Sequence, residues 1–256
     1  MTQATRYDRE LLLYGAKRDA VLELSEVQKY GADSYGNENY TSIYGLRPPE
    51  WYGRGIRLLG RTVVECTRDE FADEIGRDIA VIANTLDSAS TLVIDPFAGS
   101  GNTLYWMLRH LPAARGLGCE VDRHVYELTA RNLEILRVPV RVENSEYRSV
   151  LAREAHAKEQ LIIAFIAPPW GKALDPNGGL DLLATLPPIP DIVANLQSTF
   201  SAKRVLCAIQ VTEFVEPTSF QVVRGNFDWT SLRIYQLNAP GHNHGIILGT
   251  KGWSTQ

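Results

Sequence analysis

Two short segments of this 256-residue chain carry residue types suited to holding reactants in place. The first is Val93-Ile94-Asp95-Pro96-Phe97-Ala98-Gly99-Ser100-Gly101-Asn102-Thr103. Gly99 and Gly101 let the backbone approach a ligand without side-chain obstruction. A helix beginning at Asn102 would present free N–H groups and the positive end of its dipole to a carboxylate. No Gly-Lys-Ser/Thr follows and no GxGxxG is present, which argues against a triphosphate loop and against a nicotinamide cofactor. Taken alone, the glycines would equally suit a tight turn. Glu120 adds a second element, at the end of Gly118-Cys119-Glu120. A carboxylate there can accept hydrogen bonds from both hydroxyls of a ribose, so the pair points to an adenosine-containing ligand. Asp122 reads as the N-cap of the next helix.

The second segment is Ala167-Pro168-Pro169-Trp170-Gly171. Its two prolines fix the backbone and remove two N–H donors. A rigid loop of carbonyls remains, able to accept hydrogen bonds from an amino group while Trp170 stacks on a planar ring. Such a loop would act by orientation. A sheet-end turn with a packed tryptophan is the other reading of these residues.

Little else in the chain offers chemistry. No Ser/His/Asp or Cys/His array is visible. Cys66, Cys119 and Cys207 are widely spaced with no CxxC pair, so neither a disulfide framework nor a metal site is expected. His242 and His244 fall in the last turn and read as solvated more readily than as substrate contacts, and Asp175 and Asn177 as turn formers more readily than as helpers of the loop before them. Arg47, Arg54, Arg57, Arg61 and Arg68 alternate with Trp51, Tyr52 and other aromatics, which suits either a phosphate-bearing partner or a stacked surface. Net charge is −4, against the basic excess usual in proteins that grip long nucleic acids. No signal peptide or membrane-spanning run is apparent, and a cytoplasmic protein without membrane association is expected.

These segments need elements to position them. Tyr7–Lys29 reads as helical, and Tyr30–Arg61 as irregular structure pinned by aromatics, with Pro48-Pro49 interrupting any helix. Thr67 and Glu70 form a capping box for a helix whose stripe is Phe71, Ile75, Ile79 and Ile82. Strands are predicted at 91–95, 116–121, 139–143, 160–167 and 204–211, alternating with helices at 102–111, 123–136, 151–159 and within 181–200. Two closing strands, 229–237 and 245–250, form a hairpin. The pattern predicts an α/β fold with a mostly parallel, Rossmann-like sheet and an antiparallel C-terminal strand.

At these residues the chain resembles the amino-methyltransferases. Asp95–Thr103 is similar to their DPFxGSG-type cofactor motif, and Pro168-Pro169-Trp170 to their (D/N/S)-P-P-(Y/F/W) motif. The nearest likeness is to the trimethylguanosine synthase family, which methylates the N2 amine of cap guanine. Gly101-Asn102-Thr103 and Pro168-Pro169-Trp170-Gly171 match that family, as does the aromatic and Arg-containing stretch 51–59 followed by a helix at 67–80. The likeness covers roughly residues 45–200.

The resemblance implies a class I methyltransferase domain at 67–256, behind an N-terminal helical or irregular extension, 1–66, that could serve as a substrate lid. It implies S-adenosylmethionine as cofactor, lined by Asp95, Pro96, Phe97, Ala98, Gly99, Gly101, Asn102, Thr103, Glu120, Val121 and Ser145. The catalytic loop would be Ala167, Pro168, Pro169 and Trp170, with Trp51, Arg54 and Trp170 against the acceptor. That acceptor would be a planar nucleobase-like molecule or RNA, methylated on an amino nitrogen, and a homo-oligomer is compatible with this reading. Position 167 is Ala where the family has a polar residue. Backbone carbonyls could replace it, the acceptor atom could differ, or the chain could be inactive. A small-molecule N-, O- or C-methyltransferase and a non-catalytic binding module with the same fold therefore stay open.

Overall fold

The runs Leu161–Ile166 and Arg204–Thr212 are buried at every position but Arg204, as strands covered on both faces must be. They are the middle of a seven-stranded sheet in the computed structural model, which describes residues 6–86, 90–175, 177–236 and 243–254. In chain order the strands are β1 Thr91–Asp95, β2 Arg115–Cys119, β3 Val140–Glu143, β4 Leu161–Ile166, β5 Arg204–Thr212, β6 Trp229–Tyr235 and β7 His244–Lys251. Their spatial order is β3-β2-β1-β4-β5-β7-β6. The first five are parallel, and β7 inserts antiparallel between β5 and β6. This is the expected Rossmann-like sheet with its antiparallel C-terminal strand.

The helices are α1 Leu24–Tyr35, α2 Pro48–Gly53, α3 Gly60–Glu65, α4 Asp69–Ala83, α5 Asn102–His110, α6 Arg123–Ile135, α7 Tyr147–Glu154, α8 Ile189–Thr199 and α9 Pro217–Arg224. The stripe Phe71, Ile75, Ile79 and Ile82 of α4 packs with Val93, Ile163 and Leu206 on one face of the sheet. On the other face α7 and α8 bury Val150, Leu151, Ile192 and Leu196 against Leu92, Ile162 and Cys207.

The N-terminal region departs most from its expectation. The stretch read as one helix holds a π-turn at Glu10–Tyr14 and then α1, which opens on a capping box between Glu23 and Glu26. Pro48 and Pro49 begin α2 instead of breaking a helix. At a first helical turn the missing N–H costs nothing. The aromatics of this region share a core. Tyr30, Tyr44 and Trp51 are buried with Leu12, Ile43 and Ile56, against Leu133 of α6. The capping box expected at Thr67 is absent, because α4 starts at Asp69 after Arg68. The helix expected at 151–159 starts earlier, at Tyr147, where the Glu146 carboxylate accepts from the N–H of Arg148. Helix α9 and a short hairpin pairing 174–175 with 179–180 were not anticipated.

Candidate active site

Strands β1 and β4 are neighbours, with Ile94 registered to Ala164. The two chemistry-bearing segments therefore leave the same edge of the sheet side by side, at the carboxyl ends where ligands of such folds bind.

The loop after β1 is held from three directions. The Asp95 carboxylate accepts from the N–H of Phe97 at 3.0 Å. The Ala98 N–H donates to the Cys119 carbonyl at 2.8 Å, and the Thr129 hydroxyl donates to the Gly99 carbonyl at 2.5 Å. Both glycines sit at positive φ, +49° and +73°, but for different reasons. A Cβ at Gly99 would meet only the Phe97 carbonyl, at 3.8 Å, so among the described residues this position faces open space. A Cβ at Gly101 would press on Leu133 and Thr129 at 3.1 Å, so this position serves helix packing. Pro96, Ala98 and Thr103 are buried, and Phe97 is half-buried against Tyr147, with ring centroids 5.4 Å apart.

Asn102 opens α5, yet its side chain faces away from any cofactor role. Its Oδ1 accepts from the Tyr44 N–H at 2.6 Å, and its Nδ2 donates to the Thr67 carbonyl at 2.8 Å and to Asp69 Oδ1 at 3.1 Å. The Tyr44 hydroxyl donates to the Ser100 carbonyl. The N-terminal region thus braces the loop, and the Asn102 N–H donates to the Ser100 hydroxyl oxygen at 3.3 Å.

Glu120 follows the end of β2. Its two oxygens accept from the N–H groups of Gly99 (3.1 Å) and Asp122 (2.8 Å). Burial raises its carboxyl above the usual carboxylate range, against the lowering effect of those two bonds. Asp95, 2% exposed, is pushed by burial up to about 7. Val121 beside Glu120 is 67% exposed, an apolar surface at the rim. Across from it, Asn144 donates to the carbonyls of Glu120 and Val121, and Ser145 is half-buried at the end of β3. Asp122 caps α6 as expected, accepting from the N–H groups of His124 and Val125.

After β4, Pro168 is buried, Pro169 exposed, and Ala167 and Trp170 half-buried. The Trp170 ring lies 6.1 Å from that of His244, which lies 4.6 Å from that of Phe71. The Gln210 amide nitrogen is 3.4 Å from His244 Nδ1, and the Thr67 hydroxyl donates to Gln210 Oε1 at 3.1 Å. The sequence marks Thr67 as a cap and Phe71 as core, leaves Gln210 unmarked, and favours a solvated turn over a substrate contact for His244; the structure brings all four to this place. A signal existed: a final antiparallel strand must begin at the edge where the parallel strands end. His242 lies outside the described residues.

Trp51 requires correction. It is fully buried, with its Nε1 donating to the Thr41 carbonyl at 3.0 Å, and has no face for an acceptor ring. Arg54 is exposed at the C-terminal end of α2. Of the other arginines, Arg57 stacks on Tyr52, Arg61 pairs with Asp19 and Asp122, and Arg68 stacks on Tyr40. Burial pushes all three thiols up to about 12, so none is a nucleophile at neutral pH. Among the described residues no cluster of His, Cys, Asp and Glu could hold a metal ion, and no helix is long and apolar enough to cross a membrane.

No family model matches the chain, and no curated protein sequence does. Solved structures do. The N-terminal domain of human METTL16 is similar at TM-score 0.50 and 12% identity, over 70% of this chain and 69% of that one. A SAM-dependent methyltransferase from Agrobacterium tumefaciens matches at TM-score 0.49 and 11% identity, over 76% of this chain and 67% of that one. A putative RNA methyltransferase from Pyrococcus horikoshii matches at 0.45 and 13%, over 72% and 85%. The chain spans about two thirds of the length of the first two. The likeness is one of fold alone, a Rossmann-like sheet.

Proposed function

We propose that this chain is an S-adenosylmethionine-dependent methyltransferase acting on an amino nitrogen of a planar, guanine-like acceptor. The observation that carries the reading is the adjacency of β1 and β4, which sets the Gly99–Glu120 pair beside the Pro168-Pro169-Trp170 loop. The donor's parts find suitable residues. Glu120 has oxygen lone pairs left beyond its two backbone bonds and, among the described residues, no ion-pair partner, which suits ribose hydroxyls. The open approach at Gly99 suits the chain of the amino acid end, and exposed Val121 suits an adenine face. When bound, that cofactor supplies an electrophilic methyl group on a sulfonium.

The chain's own part is orientation. The carbonyls of Ala167 and Pro168 would accept the N–H groups of the target amine, aiming its lone pair along the line of displacement, while Trp170 stacks on the ring. An arylamine proton becomes acidic only as the new bond forms, so no strong base is needed. Ala167 is compatible with this arrangement because the acceptors are backbone atoms. With Arg57, Arg61 and Arg68 all engaged within the chain, a compact acceptor is favoured over a long phosphate backbone. A methyl transfer screen with tritiated donor over nucleosides, cap analogues, total RNA and a metabolite extract tests the reading. Label on a guanine-type amine supports it, and label only on oxygen or carbon of a non-aromatic metabolite overturns the acceptor class.

A further inference from the structure

The arginines from Arg47 to Arg68 do not stand alike. Arg47 and Arg54 are exposed. Arg57 donates to the Tyr52 and Ile56 carbonyls at 2.8 and 2.7 Å, and Arg61 pairs with Asp19 and Asp122. Arg68 is 8% exposed, yet among the described residues its guanidinium makes no hydrogen bond, and its ion pair is a long contact of 3.5 Å to Glu70, a carboxylate half in solvent. Asp69 does not compensate it, because the oxygens of that carboxylate accept from Gly45, Asn102 and Trp106. Burying a guanidinium with its N–H donors unmatched is costly. The Tyr40 ring, 3.9 Å from the guanidinium carbon, covers one flat face and leaves the N–H edge uncommitted. Helix α4 begins at the next residue with no side chain capping its first N–H groups, which adds positive potential at the same place.

The segment that carries Arg68 lies along the carboxyl edge of the sheet. The Thr67 hydroxyl reaches Gln210, which follows the Ile209 registered with Ile166, so this segment touches the strand end beside Ala167. The Arg68 guanidinium is 5.5 Å from the Phe71 ring, that ring is 4.6 Å from the ring of His244, and His244 is 6.1 Å from Trp170. The guanidinium thus stands at one end of a row of rings that ends at the residue proposed to stack on the acceptor.

We propose that Arg68 binds an oxyanion, a phosphate or a carboxylate, carried by the acceptor that stacks on Trp170. A guanidinium held by its face presents paired N–H groups to two oxygens of such an anion. Glu70, half exposed, can turn to solvent as the anion arrives. The inference rests on the proposed methyltransferase reading and narrows its acceptor to a charged one, with the planar ring at Trp170 and the anion at the far end of the row. One buried guanidinium suits a single oxyanion on a compact molecule, not the repeated phosphates of a long strand.

Two measurements test this. The first titrates guanosine, guanosine 5′-monophosphate and guanin-9-ylacetate into protein saturated with S-adenosylhomocysteine. At least one of the two anions should bind at least tenfold tighter than guanosine, and the tighter one identifies the oxyanion. Arg68→Met should bring all three within about twofold of one another, with guanosine and cofactor affinities unchanged. Arg68→Lys, which keeps the charge without the planar fork, should recover part of the preference. Equal affinity of all three for the unaltered protein overturns the proposal. So does an Arg68→Met variant that weakens guanosine as much as the anions, since that loss is one of packing. A loss of cofactor affinity in Arg68→Met also overturns it, by assigning the guanidinium to the cofactor's own carboxylate. The second measurement needs no particular ring. Inorganic phosphate at fixed ionic strength should raise the unfolding midpoint of the unaltered protein and not that of Arg68→Met, and equal responses overturn the proposal. Absence of both effects in a protein that still binds cofactor overturns the anion site and leaves the methyltransferase reading standing.

Discussion

Asn102 and Thr67 are joined side chain to backbone, Nδ2 to carbonyl at 2.8 Å, so the first residue of α5 fixes the residue that leads into α4. The same amide bonds Tyr44 and Asp69. Asn102→Ala should leave the buried Tyr44 N–H without its acceptor and take one donor from the half-buried Thr67 carbonyl and Asp69 Oδ1, the latter keeping Trp106 Nε1, and cost about 2–3 kcal/mol. Thermal unfolding should show this as a drop of several degrees, and an unchanged midpoint would mean the brace carries no load.

Gly101→Ala should destabilise by roughly 1–3 kcal/mol, because alanine would be strained at φ +73° and its Cβ would press on Leu133 and Thr129. Gly99→Ala is the instructive contrast. Its Cβ meets almost nothing within the protein, so beyond the strain of positive φ its cost should appear in cofactor affinity. Urea unfolding and cofactor titration of the two variants should separate the roles.

Asp95 should make stability fall as pH rises. Burial holds its carboxyl at about 7, above the ordinary value near 3.8. The folded state therefore keeps a proton that the unfolded state releases. The contribution is complete below the unfolded value and is lost as pH passes through 7. The span is worth on the order of 4 kcal/mol. Asp95→Asn should remove this component, so urea midpoints of the two proteins at pH 5 and pH 8 should diverge. Parallel midpoints would contradict the raised value.

Trp170→Ala should lower kcat/KM by about a hundredfold or more while cofactor binding survives, since the role proposed for the ring is to stack on the acceptor. Retained transfer would remove the stacking role.

The sheet was legible because its signals are local. Leu161–Ile166 is a continuous apolar run, and the Gly99 and Gly101 loop lies between strand and helix, so β4, β1 and α5 were readable. Pro48-Pro49 misled because the same residue type breaks a helix inside and starts one at its end. Trp51 looked available because composition does not say which side of a short helix is buried, and a core built from Leu12, Ile43 and Ile56 around it depends on contacts far apart in sequence. His244 was missed for the same reason. Its neighbours Trp170 and Phe71 reach it only once β7 inserts beside β5.

The proposed methyltransferase activity requires the Gly99–Glu120 pair to receive S-adenosylmethionine. Calorimetric titration of that cofactor into the unaltered protein and into Glu120→Ala tests it most directly. Saturable binding at micromolar concentration, weakened at least tenfold in Glu120→Ala without loss of fold, is the predicted result. No heat of binding up to high micromolar cofactor, or equal affinity in the two proteins, would contradict it.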